Sequence, residues 1–190
     1  MGNREDLLAG ARAAILRRGL AKTTARDIAG AAGVSLAAIG YHFGSKDRLI
    51  TEAIADALGS GVGDELEAAI RHTGSDTTLW QALASIWDAM CEVRHRHSET
   101  MLLSAENALL VARSPDSQEF MGESTRTAIH DLRKALAEQH SGLSEEQAIA
   151  VAKLFFLTFQ GFAMLSIIAP DAVDVTGADI ALAVQTLHEM

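Results

Sequence analysis

Glutamate and histidine crowd together at Glu92, His95, His97 and Glu99, and Glu92-Val93-Arg94-His95 has the Glu-x-x-His spacing that puts two ligands on one helix face. Helical di-metal carboxylate sites use two such motifs plus further glutamates from facing helices. This chain has one such motif. The segment therefore reads as a solvated, charged helix end, and no metal or cofactor is predicted. Cys91 lies on an apolar stripe with no base beside it in sequence, so it reads as a core residue rather than a nucleophile. No Ser-His-Asp set, phosphate loop or paired-carboxylate arrangement stands out, and the sequence predicts no enzyme. The chemistry that remains is charge. Residues 1–50 carry eight Lys/Arg (Arg4, Arg12, Arg17, Arg18, Lys22, Arg26, Lys46, Arg48) and four acids, a net of +4. The other 140 residues carry eight Lys/Arg and 21 Asp/Glu, a net of −13. A basic head on an acidic body suits a polyanionic partner at one end only.

The elements that would position the basic head are helical. Leu7, Leu8, Ala11, Ala14 and Ile15 recur at helical spacing over residues 4–18, and Gly19 follows as a C-terminal cap. Thr24-Ala25-Arg26-Asp27 has a capping-box pattern and opens a second helix with Ile28, Ala29 and Ala32 inward. Gly33 ends it. Ser35 is the expected N-cap of a third, short helix through Phe43, and Gly44-Ser45 separate that helix from a fourth beginning near Lys46. Gly59-Ser60-Gly61-Val62-Gly63 predicts a break. Beyond it, helices are expected over 78–97, 99–112, 115–139, 145–169 (capping box Ser144 to Gln147, stop at Pro170) and about 178–189. No strand or internal repeat is predicted. The fold class is all-α, with a helix-turn-helix domain over residues 1–50 and a larger helical regulatory domain over 51–190.

Bulk properties agree. The 190 residues are 48% hydrophobic and only 5% aromatic, so Ala and Leu build the core, and both favour helices. Cys91 is the sole cysteine, which fits a reducing cytoplasm. The first residues show no apolar signal region. The longest apolar stretch, residues 154–169, contains Thr158, Gln160 and Ser166. A membrane span needs about 20 residues, so a buried helix and no membrane partner are expected.

Two short helices joined by a glycine turn, the second exposing a face, place a recognition helix in the major groove of DNA. Ile28, Ala29, Val34, Ile39 and Phe43 can close a core with the first helix. The pattern Thr23-Thr24-x-x-Asp27-Ile28-Ala29-x-x-Ala32-Gly33-Val34-Ser35, then Ile39-x-x-His42-Phe43-x-Ser45-Lys46-x-x-Leu49, closely resembles the N-terminal signature of the TetR family of transcriptional regulators. The resemblance covers roughly residues 5–55. It implies a homodimeric repressor that binds a near-palindromic operator in double-stranded DNA and is released by a small apolar or amphipathic effector. It also implies a DNA-binding set of Thr24, Arg26, Ser35, Leu36, Ala37, Ala38, Tyr41, His42 and Lys46. In that set Leu36, Ala37 and Ala38 face bases, while Tyr41, His42 and Lys46 hold phosphates. Two positions depart from the pattern. Gly40 stands where many relatives carry an aromatic that touches the DNA backbone, which leaves that contact to Tyr41. The reading face lacks Arg, Asn and Gln, so bidentate base recognition is poor, and thymine methyls, DNA shape and phosphates must carry specificity.

The regulatory half carries two apolar stripes in its long penultimate helix. One is Phe155, Phe159, Ala163 and Ile167; the other is Leu154, Leu157, Gly161, Leu165 and Ile168. A helix buried on two faces needs a core on one side and a partner subunit on the other. The first stripe, with Ile180, Val184 and Leu187 of the last helix, is the expected dimer interface. A mostly apolar effector pocket with a few polar anchors would draw on Trp87, Met90, Met101, Glu106, Asn107, Phe120 and Gln160. The competing reading is a DNA-binding interaction protein controlled by a protein partner instead of a metabolite.

Overall fold

The computed structural model describes residues 3–73, 78–172 and 174–189. Every regular element among them is helical: α1 (Asn3–Arg18), α2 (Ala25–Ala32), α3 (Ala37–Phe43), α4 (Lys46–Leu58), α5 (Asp64–Arg71), α6 (Leu79–Arg96), α7 (Ser98–Val111), α8 (Pro115–Gln139), α9 (Glu145–Ile168) and α10 (Gly177–Glu189). The all-α class is as expected. Three details differ. The Gly59–Gly63 run is a π-helical turn that continues the chain from α4 into α5. Helix α5 has no counterpart in the sequence reading. The boundary expected at residue 50 falls inside α4.

Two compact units result, one formed by Met1–Leu58 with Glu99–Ser124, the other by Gly59–Ser98 with Thr125–Met190. In the first, Leu7, Ala11, Ile28, Leu49, Ile50 and Ala53 are almost wholly buried, and Leu103 and Leu110 of α7 pack against the same core. Gly10 lets α1 and α2 touch: a Cβ there would lie 2.8 Å from the Ala32 Cβ and 2.9 Å from the Ile28 carbonyl. Polar contacts fasten α4 within this unit. Arg48 Nε donates to Glu52 Oε1 at 2.6 Å and its Nη1 to the Asp116 carbonyl at 2.6 Å. Asn107 Nδ2 donates to Thr51 Oγ1 at 3.2 Å, with both residues buried.

In the second unit, Ala148, Ala152, Phe155, Phe159, Phe162 and Ala163 form the buried stripe of α9. Trp87 of α6 donates Nε1–H to the Val175 carbonyl at 2.7 Å and stacks at a tilt on Phe162, with ring centroids 5.1 Å apart. Helix α10 docks on α6 through Gly177, whose N–H donates to Asp88 Oδ1 at 2.7 Å. The histidine-rich end of α6 is spent on ion pairs: Arg96 and His97 both bind Glu65, and Arg94 bonds the His95 ring. Helix α9 is long and apolar enough to cross a bilayer by length and composition alone. Its outer stripe is exposed at Leu154, Leu157, Met164, Leu165 and Ile168.

Here the burial corrects the sequence reading. Phe155, Phe159 and Ala163, expected at a dimer interface, are buried in the chain itself, each at most 8% exposed. Ile167, Ile180 and Val184 are half-buried, and Leu187 is exposed. The stripe left open is the other one, Leu154, Leu157, Leu165 and Ile168.

Candidate DNA-binding site

The start of α2 is set by a reciprocal cap. The Thr24 hydroxyl oxygen accepts from the Asp27 amide at 3.2 Å, and the Thr24 amide donates to Asp27 Oδ2 at 3.0 Å. The Thr24 hydroxyl and amide hold the Asp27 carboxyl below its ordinary value, and the cations Arg18 and Arg17 add to this. The cap thus fixes where α2 begins and places an ionised carboxylate at its N-terminus. Gly33 (φ 67°) turns the chain out of α2, and Gly44 (φ 75°) turns it out of α3. Ser45 caps α4 by accepting from the Arg48 amide at 3.1 Å.

Between those turns, α3 presents two faces. Ala38, Ile39 and Phe43 are buried in the core shared by α1, α2, α3 and α4. Leu36 (48% exposed), Ala37, Gly40 and Tyr41 (87% exposed) look outward. Ala38 was expected to face bases, so this is a correction: a seven-residue helix turns 100° per residue, and Ala37 and Ala38 fall on opposite sides of the boundary. Ser35 does not cap α3. The N-cap is Leu36 without a side-chain bond, and only the Ser35 carbonyl takes part, accepting from the Ala38 amide at 3.1 Å.

The remaining expected contacts lie around this face. Arg26 is exposed on the first turn of α2, and no ion-pair partner for it occurs among the described residues. Tyr41 stands edge-on to the half-buried His42 ring, with centroids 4.9 Å apart. Lys46 is tethered: its Nζ donates to the Thr23 carbonyl at 3.4 Å and lies 3.3 Å from Asp47 Oδ1. Those bonds aim the ammonium across the turn between α1 and α2 rather than leaving it free. Sequence reasoning missed the support behind the site. Arg4 pairs with Glu52 and lies over the Phe43 ring at 5.3 Å, which packs α3 from behind. The signal was present only as unassigned charges at positions 4, 48 and 52.

The residues expected to hold an effector separate between the units. Trp87 and Met90 are buried in the second unit, where Gln160 is exposed on α9. Met101, Glu106, Asn107 and Phe120 belong to the first. There Glu106 is exposed, Asn107 bonds Thr51, and Phe120 lies under the Arg48 guanidinium at 4.6 Å. A surface cleft between Leu79 and the turn Gln139, His140, Ser141, Gly142 and Leu143 contains none of these residues.

The capped, glycine-punctuated pair α2 and α3 defines a helix-turn-helix protein. The family description "Bacterial regulatory proteins, tetR family" matches residues 7–53. HTH-type transcriptional repressors KstR2 of Rhodococcus jostii and Mycolicibacterium smegmatis are each 32% identical, over 111 and 104 residues, or 58% and 54% of this chain. The matches span about half the length of these curated relatives, 53% and 49%. The fold extends further. A transcriptional regulator from a Rhodococcus species superposes with TM-score 0.69 at 16% identity, over 99% of this chain and 96% of that one. The multidrug binding protein EbrR, complexed with proflavin, gives 0.67 at 18% identity over 98% and 99%. Over residues 7–53 the chain is similar to the tetR family of bacterial regulatory proteins, and its all-helical fold is shared with these solved structures.

Proposed function

We propose that this chain is a transcriptional repressor that binds a near-palindromic operator as a homodimer in the cytoplasm and leaves it when a small amphipathic effector binds. One observation carries the reading: the core built by α1 to α4 holds Ala38, Ile39 and Phe43 inside and turns the other face of α3 outward, at Leu36, Ala37, Gly40 and Tyr41, inside the segment the family description covers. Thr24, Arg26 and His42 flank that face and, with Tyr41 on it, hold phosphates that fix the register; Lys46 joins them by exchanging its Thr23 and Asp47 contacts for a phosphate. Two such heads joined by twofold symmetry read two half-sites one helical turn apart. The joining surface is the exposed stripe of α9 together with Leu182 and Leu187 of α10, large apolar side chains that a partner subunit would remove from water.

The apolar body of the effector is expected to be received by opening of the buried Trp87, Met90 and Phe162 cluster. Structures of the fold relative EbrR hold imidazole and proflavin. Within the first unit, Asn107 and Phe120 contact Thr51 and Arg48 of α4, so loosening those contacts would release α4 behind the reading head. The test is selection of bound fragments from sheared genomic DNA of the source organism at two salt concentrations. Enrichment of one imperfect palindrome that survives moderate salt supports the repressor. Uniform binding that vanishes at the higher salt leaves only the phosphate contribution and overturns it.

A further inference from the structure

Gly40 occupies the fourth position of the seven-residue α3, where glycine is costly to helix formation. The usual reasons for a glycine fail there. Its φ is not positive; among the described residues only Gly19, Gly33 and Gly44 have that conformation. A Cβ built on it meets nothing within 4 Å. Gly10 shows the contrast, since its missing side chain is required by Ala32 inside the protein. Gly30 of α2 and Gly161 of α9 are equally unfilled, but of the three only Gly40 stands on α3, on the face proposed to meet DNA, where a missing side chain has a use outside the chain.

Ala37 and Gly40 are three residues apart and so lie side by side on one helix face. Leu36 and Tyr41, both largely exposed, wall the two ends. The result is a shallow apolar notch, floored by one methyl and bare backbone. Apart from the Tyr41 hydroxyl it offers no side-chain donor or acceptor. The apolar feature of base edges in the major groove is the C5-methyl of thymine. We propose that the Ala37–Gly40 notch receives a thymine methyl in each half-site, and that Gly40 sets how deeply α3 docks. This rests on the operator-binding reading above.

The experiment exchanges methyl groups between protein and DNA. Each thymine of the selected operator is replaced in turn by deoxyuridine in both half-sites, and affinity is measured by fluorescence anisotropy for the unaltered protein and for Gly40→Ala. Removing the seated methyl weakens the unaltered protein by about fourfold per half-site, about fifteenfold for both. Gly40→Ala raises the urea midpoint of unfolding, so its defect is not misfolding, yet it binds the thymine operator at least about tenfold more weakly. Uracil at the same position returns part of that affinity, because the missing DNA methyl vacates the space the new protein methyl fills. The proposal is overturned if no uracil position changes binding by the unaltered protein, if Gly40→Ala binds the thymine operator undiminished, or if uracil restores nothing. Those results leave the repressor reading standing. Failure of the unaltered protein to select any operator overturns both.

Discussion

Leu157→Ser tests whether the open stripe of α9 joins two copies of the chain, as proposed. Leu157 is 68% exposed in the isolated chain. Fully burying a leucine is worth about 1.5–3 kcal/mol, so covering its exposed two-thirds is worth about 1–2 kcal/mol. A twofold interface makes each contact twice, and the substitution forfeits about 2–4 kcal/mol per dimer. That raises the dimer dissociation constant by about 30- to 1,000-fold. Sedimentation velocity over a dilution series reads the change directly. The protomer should keep its fold, because the side chain contributes little to its own core. Phe159→Ser is the opposite case. That ring is 7% exposed, and emptying its place costs about 3–5 kcal/mol of protomer stability, visible as a lower urea midpoint. The reasoning is refuted if Leu157→Ser dimerises as tightly as the parent, or if the parent stays monomeric at every concentration.

Three further outcomes follow from the site and its supports. Arg26→Ala weakens operator and random DNA alike and lowers the slope of log affinity against log salt by about two, one phosphate per half-site, in anisotropy titrations; an unchanged slope removes Arg26 from the interface. Thr24→Ala costs about 1 kcal/mol through the lost N-cap, measured by urea unfolding at neutral pH. The Asp27 carboxyl is held below its ordinary 3.8 chiefly by Thr24. A depressed carboxylate adds stability above its unfolded value and loses it as pH falls through the folded one. The gap between parent and variant therefore narrows below about pH 4, and a gap that widens there contradicts the cap. Gly177→Val drives a side chain into α6, since a Cβ at Gly177 would sit 2.2 Å from the Ala84 carbonyl oxygen. Helix α10 then lifts, exposing Trp87, and the tryptophan emission shifts to the red; an unshifted spectrum refutes this docking.

Much of the head was legible because its determinants are local. Thr24 and Asp27, or Ser144 and Gln147, cap a helix through bonds between residues three apart, and a reader of the chain sees both partners at once. Gly33 and Gly44 mark turns for the same reason: their backbone conformation excludes most other residues. The family signature is likewise confined to one continuous segment.

Choices between equivalent faces needed the tertiary structure. Both stripes of α9 are apolar, and periodicity reports that a helix has two such faces without saying which neighbour meets which. Packing against the chain itself took Phe155, Phe159 and Phe162 and left Leu154, Leu157 and Leu165 outside. Ala37 and Ala38 are the same residue type in a helix too short for a hydrophobic period to resolve, and only packing into the shared core of α1 to α4 decided that Ala38 is inside. Asn107 and Thr51 are 56 positions apart, and no local rule pairs them. Short-range hydrogen bonding and backbone sterics thus determined the elements from the sequence itself. Which surfaces those elements spend on one another depends on long-range burial, a property of the assembled chain.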